Sequence, residues 1–115
     1  LYVSAWGEQT MLRVERGVAE PKRDVLHMPF RIDNLRMMPD GTILGAGHAG
    51  RALCSCLGET WHVGRIDPQG SMSVSLLLSE PYVPGFGAVT VAVQVGKEIW
   101  IGPNRGDRIG YFPAP

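Results

Sequence analysis

Nine residues from Asp40 to His48 (Asp-Gly-Thr-Ile-Leu-Gly-Ala-Gly-His) align with Gly96 to Asn104 (Gly-Lys-Glu-Ile-Trp-Ile-Gly-Pro-Asn) at an offset of 56. This internal repeat restricts the fold more than any other feature of the chain. A second match, at an offset of 42, joins Leu1–Trp6 to Ile43–His48, and Thr10–Val14 aligns further on with Arg108–Phe112. Repeats of about 40 to 50 residues made of short strands are the spacing of β-propeller blades. With strands named A to D from the tunnel outward, the chain supplies B, C and D of one blade, all of the next, and A, B and C of a third. The excess length of the middle unit falls in the loop Ala49 to Thr60. An open array of this kind leaves strand edges unpaired, which native proteins avoid. The sequence therefore predicts that residues 1–115 form the C-terminal portion of a single, larger propeller domain, about two and a half blades, with the rest of the ring required.

Composition agrees with an all-β chain. Hydrophobic residues make up 44%, enough for a core, and 15 Gly and 9 Pro punctuate short apolar runs without a helical period. Eleven basic residues balance eleven acidic ones, so no electrostatic footprint for nucleic acid is present. No apolar run approaches the roughly 18 to 20 residues that span a bilayer. The chain starts at Leu1 and shows no signal peptide, so it reads as a processed or truncated piece whose localisation is not written in the sequence.

In chain order, strands are expected at Leu1 to Ala5, Met11 to Arg16, Val25 to Met28, Leu35 to Met38, Thr42 to Leu44, Trp61 to Ile66, Ser71 to Leu78, Val89 to Val95, Glu98 to Ile101 and Arg108 to Phe112. Pro39-Asp40-Gly41 is a turn between two of them, because Pro fixes φ and Gly accepts positive φ. An antiparallel hairpin about Asp40 sets Asp33 and Asn34 beside Gly47 and His48. An acid, an amide and an imidazole then converge on one rim of an otherwise apolar hairpin.

Each of these groups has a plain structural reading and a functional one. Asp33 and Asn34 suit local backbone bonding before a strand. They also suit a hard divalent cation, although two residues fall short of the six to eight oxygens that calcium takes. Val89 and Thr90 stand at the matching positions of the next unit, so the repeat itself does not demand an acid and an amide. His48, whose repeat mates are Trp6 and Asn104, is either a loop histidine or a general base and substrate partner that titrates near neutrality. Cys54-Ser55-Cys56 lacks zinc-knuckle spacing, and residues two apart are poorly placed for a mutual disulfide.

Phe30-Arg-Ile-Asp33-Asn34-Leu35, Pro39-Asp40-Gly41 and Gly45-Ala-Gly-His48, together with Gly96-Lys-Glu-Ile-Trp-Ile-Gly and Gly106-Asp107-Arg108-Ile109, resemble the senescence marker protein/gluconolactonase superfamily. Within it the likeness is to the paraoxonase (arylesterase) branch. The resemblance implies a six-bladed propeller with calcium, or another divalent cation, in its tunnel, acting on small lactones or esters. It makes Asp33 and Asn34 metal ligands and His48 a pocket residue, with the remaining ligands upstream of Leu1. The chemistry implied is polarisation of a lactone or ester carbonyl by the metal, with water as nucleophile. Strictosidine-synthase-like and NHL-like propellers share the architecture without this site, so a non-catalytic propeller that binds a partner or small ligand is the alternative expectation.

Overall fold

The computed structural model describes residues 1–50 and 60–115. Among them ten strands make three antiparallel meanders. The first sheet holds β1 (Tyr2–Ala5), β2 (Thr10–Val14) and β3 (Arg23–His27). The second holds β4 (Arg31–Met37), β5 (Ile43–His48), β6 (Thr60–Asp67) and β7 (Ser73–Pro81). The third holds β8 (Phe86–Val95), β9 (Glu98–Gly106) and β10 (Gly110–Pro113). The chain is all-β, and the three-four-three division of its strands is the one the repeat predicts. The one helical element among the described residues is a 3-10 turn at Trp6–Glu8, and no helix is long and apolar enough to cross a membrane.

Turn chemistry sets the hairpins. Gly41 takes φ of 85°, and the Asp40 carboxylate accepts from the Thr42 amide at 2.9 Å and hydroxyl at 2.7 Å. Gly96, with φ of 60°, closes the tight turn between the paired residues Val95 and Glu98. The Asp67 carboxylate likewise caps the amide of Gln69 at 2.9 Å before Gly70 at φ of 50°.

The second sheet is sandwiched. On one side Phe30, Ile32, Ile43 and Ile66 meet Met11 of the first sheet, and on the other Leu44, Ala46, Trp61 and Val63 meet Phe86, Val89, Ile99 and Ile101 of the third. Strand alternation explains how β5 serves both layers, since Ile43 and Leu44 point to opposite faces. All six residues of β5 are buried. Trp61 joins the second layer through edge-on contacts with Phe86 at 5.7 Å and Phe112 at 5.4 Å.

Several expected boundaries shift, with β5 running on to His48, β8 starting at Phe86 and β9 running on to Gly106. The inner strand β4 starts at Arg31, not Leu35, and so takes in Asp33 and Asn34. Pairing survives there because a β-bulge absorbs the misfit: Ile32 pairs with Gly47, the next pair is Leu35 with Gly45, and Asp33 and Asn34 together face Ala46. Likewise β7 runs on to Pro81, and β10 is Gly110–Pro113, later than expected. A bulge recurs in β8, between the pairs Val89 with Pro103 and Val91 with Gly102. Counted from these bulges, the inner strands are 56 residues apart and their partners 57, because the link from Val93 to Trp100 is one residue longer than that from Met37 to Ile43. In register, the mate of His48 is therefore Arg105 and not Asn104. The Cys54-Ser55-Cys56 run lies outside the described residues.

Candidate functional site

The site grows from the rim where β4 starts and β5 ends. Arg31 pairs with His48, and His48 with Trp61 of β6. Glycine permits this approach: a Cβ on Gly47 would overlap the Arg31 carbonyl oxygen, and one on Gly45 would overlap the Ile32 side chain. The Gly45-Ala-Gly47 step thus draws β5 tightly against β4 just before His48.

His48 is not a loop histidine. It is the last residue of β5, 7% exposed, with the Trp6 ring 5.7 Å away and tilted by 56°. Trp6 comes from the 3-10 turn of the first sheet. That turn is sewn to the second sheet by Arg31, whose Nη1 donates to the carbonyls of Trp6 at 3.0 Å and Gly7 at 2.8 Å. The guanidinium carbon also sits 5.1 Å from the Trp6 ring centre, a cation–π distance. The Gln9 side chain donates to the Met28 carbonyl at 2.9 Å, and the Ser4 hydroxyl donates to the backbone carbonyl of Asp33.

Asp33 is half-buried and Asn34 exposed on the bulge. Burial raises the Asp33 carboxyl above the ordinary carboxylate range, and the charge of His48 offsets part of that rise. The acid and the imidazole predicted to share a rim are therefore electrostatic neighbours. The bulge alters the detail, since Gly47 faces Ile32 and His48 faces Arg31, so neither lies directly across from Asp33 or Asn34. His62, opposite Gly47 on β6, stacks on Phe30 at 5.3 Å. Burial, with a smaller contribution from His48, lowers its basicity, and its Nδ1 is buried without a hydrogen-bond partner among the described residues.

Trp6, Arg31 and His62 belong to this site; the sequence offered Trp6 only as the repeat mate of His48 and His62 only as a neighbour of the Cys54-Ser55-Cys56 run, and gave no sign of Arg31. A signal existed for Trp6, which the offset of 42 aligns with His48: ends of equivalent strands in successive sheets lie side by side. As a cation site, the donors fit in kind and fall short in number. Asp33 and Asn34 offer hard oxygens, and no hydrogen bond or ion pair occupies the Asp33 carboxylate among the described residues. No cluster of three or more His, Cys, Asp or Glu able to hold a metal occurs among those residues. No family model matches the chain, and neither a curated protein nor a solved structure matches it.

Proposed function

We propose that this chain is part of a calcium-dependent hydrolase of small lactones or esters, built as a six-bladed propeller, with Asp33 and Asn34 contributing to the metal shell and His48 lining the substrate pocket. The observation that supports the reading is the bulge at Asp33–Asn34, which sets an acid and an amide against a single residue, Ala46, beside a buried histidine. Bulges commonly re-aim side chains next to active sites. A half-buried carboxylate whose ionised form is disfavoured is a group for which a bound cation restores the balance. Calcium, where bound, would supply Lewis acidity toward the substrate carbonyl. The protein's own residues hold the cation through Asp33 and Asn34, present an imidazole from His48 for proton transfer or substrate orientation, and exclude water with Trp6 and Phe30. Further blades would supply the remaining oxygens.

Calcium titration calorimetry beside lactonase kinetics, on the whole propeller protein that contains this chain, tests the proposal. Asp33→Ala should abolish detectable calcium binding and turnover together, and Asn34→Ala should weaken both by less, because it removes a neutral oxygen. His48→Gln should lower the rate with calcium affinity retained. Calcium affinity unchanged in Asp33→Ala rejects the metal assignment and leaves a non-catalytic propeller as the better account.

A further inference from the structure

We infer that the cleft where the end of β7 and β10 border the start of β8 binds a small quaternary ammonium alcohol. The cleft holds about 210 Å³ and is lined by Trp61, Glu80, Pro81, Val83, Phe86 and Phe112. An apolar cavity of about 150 Å³ is already large enough to take up benzene, so a trimethylammonium group is within its size. Trp61 and Phe86 are buried and make the floor, whereas Pro81, Val83 and Phe112 keep accessible surface and make the walls. The rings stand in steeply crossed planes, with Phe86 at 85° and Phe112 at 60° to Trp61. Such an arrangement suits a round group better than a flat one.

Glu80 supplies the charge that selects a cation. Trp61 and Glu80 are paired directly across β6 and β7, so both side chains leave the same face of the second sheet, one buried under the third sheet and the other at the lip. Glu80 is exposed, and no ion pair or hydrogen bond occupies its carboxylate among the described residues. The other five lining side chains are hydrocarbon or aromatic. Against such walls a ligand with several N–H donors leaves some of them unpaired, which costs binding energy. A quaternary ammonium has no N–H to satisfy; it turns methyl groups to the walls and its charge toward Glu80. An acidic group on the same ligand would meet the Glu80 carboxylate, so an alcohol fits where a phosphate ester or an amino acid does not. The cleft is distinct from the Asp33 rim, and its test needs neither metal nor turnover.

The experiment is a titration of the full-length protein in calcium-free buffer, followed by the Trp61 indole N–H resonance in nitrogen–proton NMR spectra. The probes are choline, its neutral isostere 3,3-dimethylbutan-1-ol, and phosphocholine. A saturable shift with choline is expected, with affinity about threefold or more above that of the neutral alcohol. Phosphocholine should bind more weakly than choline. Glu80→Gln, a change at an exposed position, should bring choline down to the affinity of the neutral alcohol and leave the neutral alcohol unaffected. No saturable shift with choline, binding of the neutral alcohol as tight as that of choline, or unchanged choline affinity in Glu80→Gln overturns the inference. Phosphocholine bound as tightly as choline or more so overturns the assignment to an alcohol without an acidic group.

Discussion

Asp33 shows how a residue can weigh against the fold that holds it. Burial raises its carboxyl above the ordinary value of 3.8, so the folded state prefers the protonated acid. Linkage gives the sign: the contribution of Asp33 to stability is fully present below about pH 3.8 and is lost as pH rises through the higher folded value. At neutral pH the ionised carboxylate is therefore a liability. Asp33→Asn, which preserves shape and removes the charge, should raise the melting temperature at pH 7 in calcium-free buffer. The gain should shrink as pH falls below about 3.8, where the carboxyl is increasingly protonated in both states. Thermal melts of the two proteins across this pH range check it, and an Asp33→Asn variant less stable than its parent at pH 7 contradicts the burial argument. A charge kept at a loss in stability is characteristic of functional positions, where activity and stability are in tension.

At the scale of elements, the pairing of β4 with β5 rests on the absence of side chains at Gly45 and Gly47. Gly47 is the stricter case, because its Cβ would collide with backbone, the Arg31 carbonyl, whereas at Gly45 the neighbour is the movable end of Ile32. Gly47→Ala should destabilise the protein by about 3 kcal/mol or more and Gly45→Ala by less, read from denaturant midpoints; equal effects would mean that the strands separate as easily at both points. The hairpin itself was legible in the sequence because Pro39-Asp40-Gly41 admits few conformations, and the repeat carried its architecture to β8 and β9. The bulge was not legible. Nothing in Ile32-Asp33-Asn34-Leu35 announces that two residues will face one, and whether Asp33 starts a strand or sits within it depends on where Gly45 lets the partner strand approach. The rim was half legible for the same reason: Asp33 and His48 lie on one hairpin, whereas Trp6 and Arg31 meet across two sheets, a contact that local pattern does not encode. The alignment of His48 with Asn104 slipped by one residue because the link between β8 and β9 is longer, and a fixed offset cannot register an insertion inside a turn.

Over the whole molecule, three stacked sheets give two apolar layers and two outer faces. The cross-strand row Val3, Leu12 and Val25 lies on the outer face of the first sheet, and Val93, Trp100 and Tyr111 on that of the third. These rows continue the pattern that elsewhere makes core, yet Val25 is 52% exposed and Tyr111 63%, with Tyr111 stacked on Trp100 at 5.5 Å. Contiguous apolar surface of this kind drives association when nothing covers it. The two faces also differ: the first-sheet row is aliphatic and the third-sheet row is partly aromatic, so a face-to-face contact between them is head-to-tail and not self-complementary. In the proposed ring, further blades cover both. The 115-residue chain by itself should then self-associate in a concentration-dependent way, and because the contact is head-to-tail, one lysine on either face should be enough to shift it toward monomer. Sedimentation velocity on the chain, Val25→Lys and Tyr111→Lys provides the measurement. Both variants should sediment more slowly than the parent at equal concentration while keeping its β-sheet circular dichroism, because Val25 and Tyr111 are exposed and lie outside both buried layers. A parent chain that stays monomeric as its concentration is raised would show that these faces are finished surfaces, and would count against the larger ring.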